Sequence, residues 1–230
     1  MQSQPVDTVL FDLDDTLCTY RRDQSELLSV SFDSVGVDPF FDATDYVDRY
    51  ETFVDDSDDM LDLRRRCFAD LAESSGYDPT VGHDVAAAYA EQRDHANVDP
   101  IPGANEAVEA LAAEYRLAVV TNGDPEMQAE KLSALPFGDA FEYVVCAGYD
   151  APSKPHPGAF HRVLDLLDAE PERTVHIGNS LRSDVAGAQA ADIRAAWLSD
   201  GSTPDPVPTY EIDSMTALLT PPWKTTEVGR

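Results

Sequence analysis

Five short apolar runs punctuate the chain: "TVLFDLDD", "RLAVVTNGD", "EYVVCAGYD", "TVHIGNS" and "RAAWLSDG", each ending in small or polar residues. Their centres, such as "VLF" and "LAVV", show no polar alternation. That pattern predicts strands covered on both faces, as in a parallel sheet. Between them, helix-period stretches lie near 103–114, 125–134, 156–168 and 181–190. Strand–helix alternation of this kind predicts an α/β domain, a doubly wound (Rossmann-like) parallel sheet. Ligands in such sheets gather beyond the carboxyl ends of the strands, which is where the polar loops would lie.

One segment interrupts the alternation. From 19 to 99 no strand pattern is found, only helical patterns near 22–34, 42–54, 60–75 and 83–97. An insertion directly after the first strand's acidic loop predicts an α-helical cap domain over residues 19–99. The α/β catalytic core is then expected from 1–18 and 100–230. "NVDPIPGA", with two prolines and a glycine, is the expected return linker. The tail after Trp223 is expected to fray.

Charge narrows the partners. Forty-four acids against 16 bases give a formal charge of −28, which argues against nucleic acid and anionic membrane. The acids are spread over both segments, so the charge reads as a solvation device. Lys131, Lys154 and Lys224 are the only lysines, and Asp dominates the acids, a composition similar to that of proteins of salt-loving microbes. Cys18, Cys67 and Cys146 are scattered and lack metal-ligand spacing, so reduced thiols and a cytoplasmic location are expected. Neither a signal-peptide pattern nor an apolar run of membrane-spanning length is found.

The densest chemistry is "FDLDDTL", Phe11 to Leu17. Three carboxylates at the end of a buried strand repel one another unless a cation or phosphate chemistry organises them. Taken alone, the pattern also fits a turn with solvated acids and Thr16 as a helix cap. Three further elements, each at the end of a predicted strand, weigh against that: Thr121 in "VVTNG", Lys154 in "SKPHP", and "GNSLRSD" with Asn179 and Asp184.

With these four motifs in this order and spacing, the chain resembles the haloacid dehalogenase superfamily, in its phosphatase branch with a helical cap after the first motif. "NGDPEMQAEKL" and "KPHPGAF" are similar to the flanks found there. The resemblance implies a Mg²⁺-dependent phosphomonoester hydrolase acting on a small phosphorylated metabolite. Asp12 would be the nucleophile that forms an aspartyl-phosphate, and Asp14 the general acid and base. Thr121, Asn122, Gly123 and Lys154 would bind the phosphoryl group. Asp12, the Asp14 carbonyl, Asp184 and Asn179 would surround the metal. The family places an acid where Asn179 stands; an amide oxygen still coordinates, but with one negative charge fewer.

A 2-haloacid dehalogenase, a phosphomutase, and a phosphate-binding or regulatory module with a decayed metal site are the alternatives. Asp14, which a dehalogenase does not require, favours a phosphatase. For substrate contact, Arg64 stands out within the apolar stripe of Met60, Leu61, Leu63, Cys67, Phe68 and Leu71. Arg65 and Arg66 are weaker candidates; Arg21 and Arg22, just after the first motif, are its rivals. A snorkelling or salt-bridged Arg64 is the simpler alternative. The substrate and the oligomeric state are not legible.

Overall fold

The computed structural model describes residues 4–53, 57 and 60–225. They divide into two compact units, one built from 1–19 with 98–230 and the other from 20–97.

The first unit is a six-stranded, wholly parallel sheet. Its strands are β1 (Thr8–Phe11), β4 (Arg116–Asn122), β5 (Tyr143–Ala147), β6 (Thr174–Gly178), β7 (Arg194–Leu198) and β8 (Tyr210–Ile212), in the order β5-β4-β1-β6-β7-β8. Chain order reverses at β1, where Thr8 is in register with both Arg116 and Thr174. The carboxyl end of β1 is therefore the topological switch point, the crevice where open α/β sheets bind ligands. Val9, Leu10 and Phe11 are fully buried, as their unbroken apolar run requires.

Helices α5 (Ala104–Ala112), α6 (Pro125–Ala134) and α7 (Gly158–Leu167) connect the strands. Asp124 caps α6 by accepting from the Glu126 and Met127 amides, and Pro125 follows at the first helical position. α7 turns Phe160, Val163, Leu164 and Leu167 into a core shared with Leu10, Val120, Val145 and Trp197. The helix expected over 181–190 is two pieces, a π-helical turn (Leu181–Val185) and α8 (Ala186–Ala190). π-turns of this kind concentrate at functional sites.

The second unit is helical, with α1 (Gln24–Val35), α2 (Ala43–Phe53), α3 (Met60–Ser74) and α4 (Pro79–Gln92). Its core is aromatic: Phe41 packs on Phe68 at 4.7 Å between ring centroids, and Tyr46 and Tyr89 meet the same Phe68 at 5.0 and 5.7 Å. The two Tyr–Phe68 pairs are edge-to-face, an arrangement that adds about 0.5–1.5 kcal/mol each beyond the buried area.

Two expectations are corrected, and a third, the tail, falls mostly outside the described residues. The stretch expected to be free of strand meets one at each border: β2 (Cys18–Tyr20) and β3 (Val98–Pro100) pair as a short ribbon. Three residues are too few for a period to show. α4 starts at Pro79 rather than 83, because Asp78 caps it through the Thr80 amide and Pro79 fixes the first turn. At the other end, Lys224 and Thr225 continue a short helix, α9 (Pro222–Thr225), and Lys224 bonds Glu114. Residues 226–230 lie outside the described residues.

Candidate active site

β1 delivers Asp12 at its carboxyl end, and the chain then turns sharply, with Asp15 at a positive φ of 56°. The Asp12 amide donates to the Ile177 carbonyl, which carries the β1–β6 ladder one residue past the strand. The residue is 7% exposed. One carboxylate oxygen, Oδ1, accepts from Lys154 Nζ at 2.7 Å; the other, Oδ2, accepts from Thr16 Oγ1 at 3.0 Å.

Lys154 is 5% exposed and reaches three acceptors: Asp12 Oδ1, Asp184 Oδ1 at 2.6 Å and the Val120 carbonyl at 2.8 Å. Its loop is fixed by Asn122, whose amide accepts from the Lys154 N–H at 2.9 Å and donates to the Lys154 carbonyl at 3.1 Å. The Asn122 side chain is thus committed to holding Lys154. The Gly123 amide donates to the Ala147 carbonyl at 3.4 Å.

Asp184 is 1% exposed. Besides Lys154 it takes the Ser180 amide on Oδ2 at 3.0 Å, and His176 Nε2 lies 3.2 Å from Oδ1. Its carboxylate presses on the backbone of Gly178: a Cβ there would stand 2.4 Å from Asp184 Cγ, so only glycine fits.

Burial sets the proton affinities. It pushes the Asp12 carboxyl up to about 7, with Lys154 pulling it down and Asp184 pushing it further up. In Asp184 burial also pushes upward, but Lys154 and His176 outweigh it and hold this acid well below the usual carboxylate range. For Lys154 burial acts downward, and its two carboxylates reverse the sign, so the ammonium stays charged. His176 is lowered by burial. It is therefore neutral at pH 7, with its proton on Nε2 toward the ionised Asp184. Negative charge accordingly settles on Asp184, and Asp12 is the acid poised near neutrality.

Asp14, two residues on, is half-exposed. Its Oδ1 accepts from Lys131 Nζ at 2.6 Å and its Oδ2 from Gln128 Nε2 at 3.0 Å. Gln128 Nε2 also lies 3.0 Å from Thr121 Oγ1. Asn179 is half-buried; its Oδ1 faces Thr16 Oγ1 at 3.3 Å, and its carbonyl accepts from Trp197 Nε1 at 2.9 Å. Asp12, Asp14, Thr121, Lys154, Asn179 and Asp184 therefore share one sheet edge. Gln128, Lys131 and His176 were not anticipated. Lys131, like Lys154, is one of only three lysines in the chain.

Arg21 and Arg64 belong to the helical unit. Arg21 is exposed. Arg64 is 7% exposed and lies in that unit's own core, its guanidinium 4.6 Å from the centroid of the Tyr89 ring. This cation–π contact and a hydrogen bond with Tyr46 offset its burial, while Nε has no partner among the described residues.

A divalent cation is implied by the resemblance, and the residues present can be tested against it. Asp12 Oδ2 and Asn179 Oδ1 converge on one Thr16 hydroxyl. Both are hard oxygen donors, one of them charged, and this suits Mg²⁺, which takes one or two carboxylates and keeps several waters. Among the described residues no group of three or more His, Cys, Asp or Glu is arranged to hold a metal. Nor is any helix among them long and apolar enough to cross a membrane.

Known proteins place this geometry. The glyceraldehyde 3-phosphate phosphatase of Pyrococcus furiosus is 32% identical over 102 residues, 44% of this chain and 42% of that protein. The phosphoserine phosphatase of Thermus thermophilus is 31% identical over 148 residues, 62% of this chain and 57% of that protein. The chain thus spans about half the length of these curated relatives. In structure it is similar to the putative HAD-hydrolase YfnB of Bacillus subtilis, bound to magnesium. The TM-score is 0.76 at 24% identity, over 94% of this chain and 97% of that one. The family profile described as haloacid dehalogenase-like hydrolase matches residues 6–192. The chain belongs to the haloacid dehalogenase-like hydrolases.

Proposed function

We propose that the chain is a Mg²⁺-dependent phosphomonoester hydrolase that acts on a small phosphorylated metabolite through an aspartyl-phosphate. The observation that carries this reading is the pairing of two differently held acids on one turn: Asp12, buried and bound to Lys154, and Asp14, half-exposed and held by Lys131 and Gln128. The first suits a nucleophile and the second a proton carrier. That curated relatives are phosphatases supports it.

An Asp12 oxygen attacks phosphorus, and the bond from phosphorus to the leaving oxygen breaks. Asp14 gives that oxygen its proton. Asp14 then takes a proton from water, whose oxygen attacks the aspartyl-phosphate and returns Asp12 with release of inorganic phosphate. Lys154 faces the phosphoryl oxygens as charge accumulates, and the Thr121 hydroxyl donates to one of them. Asp12, the Asn179 side-chain oxygen and the Asp14 carbonyl would hold Mg²⁺, which when bound supplies positive charge against the phosphoryl oxygens. Asp184, with both oxygens engaged, holds Lys154 in place and would add negative charge near the metal. The helical unit would select the substrate, with Arg21 as the candidate anion contact.

The test is phosphate release from an aryl phosphate, with Mg²⁺ and with chelator, at low and at molar salt. Mg²⁺-dependent release that is lost in Asp12→Asn supports the reading. No release from the intact chain in either salt regime, or halide release from 2-haloacids in its place, overturns it.

A further inference from the structure

Two α6 side chains take both oxygens of Asp14. Gln128 and Lys131 are three residues apart, which puts them on one face of the helix. They are 2% and 5% exposed, whereas the Asp14 side chain they hold is 40% exposed. Burying an ammonium is costly unless it is paired and hydrogen-bonded. The fold nevertheless buries Lys131 and points Nζ at Asp14 Oδ1 at 2.6 Å.

Gln128 has a second role in the same place. Its Nε2 approaches three acceptors: Asp14 Oδ2, Thr121 Oγ1 and, at 3.1 Å, the Asn122 carbonyl. Its Oε1 is buried and has no partner among the described residues. Because Thr121 Oγ1 accepts from this amide, the hydroxyl's own proton is left to point elsewhere. Gly123 gives the amide room, since a Cβ at 123 would stand 2.5 Å from Gln128 Nε2.

We infer that Gln128 and Lys131 form a two-point clamp of positioning residues, which fixes the Asp14 carboxylate for proton delivery and aims the Thr121 hydroxyl at the phosphoryl group. The inference rests on the proposed phosphatase reading and goes beyond it by naming what holds its general acid. Lys131 fixes one oxygen and supplies the neighbouring charge for the carboxylate that remains once the proton has gone to the leaving oxygen. Gln128 joins that acid to the hydroxyl on β4.

Leaving groups separate this clamp from a structural role. An activated phenolate departs without a proton, whereas an alkoxide needs one. Lys131→Met is therefore expected to lower kcat for an alkyl phosphate about 10²-fold, within the range for general acid catalysis. The loss on an aryl phosphate should be at least about tenfold smaller. Lys131→Arg should restore part of the alkyl activity. Gln128→Met should show the same split and also raise KM for both substrates through Thr121. Thermal unfolding of each variant identifies any that fail to fold, and the conservative Lys131→Arg then carries the test through the same ratio of the two substrates. Equal losses on both substrates, or none, overturn the clamp while leaving the phosphatase reading intact. If the intact chain hydrolyses neither substrate, that reading falls and the clamp with it.

Discussion

The two units bury charge in opposite ways. In the sheet unit, Lys154, Asp12 and Asp184 meet inside the protein, an arrangement that costs more solvation than most ion pairs return. The helical unit buries a single arginine and covers it with an aromatic ring, inside a cluster of Phe32, Phe41, Phe68, Tyr46 and Tyr89. One core is built for stability; the other gives up stability to keep an acid poised near neutral pH. Substitutions in the two places should therefore separate activity from stability.

The largest effect is expected at Asp12. Asp12→Asn should lower phosphate release by about 10⁴-fold or more, as loss of a nucleophile does, measured in single turnovers. The largest effect on stability belongs to the other unit: Phe68→Ala should cost about 3–5 kcal/mol in urea unfolding, from lost burial and the cavity left behind.

The same Asp12→Asn change should stabilise the chelated protein at pH 8. A carboxyl raised from 3.8 to about 7 in the fold favours the native state most below its unfolded value, and that contribution is lost as pH rises toward 7. Removing the charge should therefore gain on the order of 2–4 kcal/mol at pH 8, with the gain shrinking toward zero as pH falls to 4. Unfolding curves across that window check the sign. Wild type equal to or more stable than the variant at pH 8 would refute the stability cost assigned to Asp12.

The smallest effect is expected at Arg64. Arg64→Met keeps the volume and removes a buried charge, so stability should change by less than about 1 kcal/mol. KM should stay unchanged across phosphorylated substrates. A large KM increase would mean that Arg64 leaves Tyr89 to meet a ligand.

The sheet was legible because its strands are buried on both faces, so "VLF" and "LAVV" carry an unmistakable pattern. β8 was not, since Tyr210–Ile212 is three residues long and follows a proline-rich stretch. At the site, Asp12, Asp14 and Thr121 stood out because they lie at or just past a strand end, and Lys154 because it is one of three lysines and sits in a proline-flanked loop after β5. Gln128, Lys131 and His176 lie within a helix or a strand, where polar residues usually face solvent or sit satisfied. Their roles depend on which carboxylate each meets, a fact of tertiary structure. The mixed residue Asn179 was legible as a departure, but its link to Asp12 through Thr16 was not.

Trp197 gives the loop at Asn179 a consequence of another kind. The buried indole donates directly to the Asn179 carbonyl. Indole emission depends on the field at its N–H, so the chain carries its own optical reporter at the sheet edge. Trp223, the other tryptophan, packs against Tyr115 and Tyr210, and a Trp223→Phe background would leave a fluorescence signal that follows the loop alone.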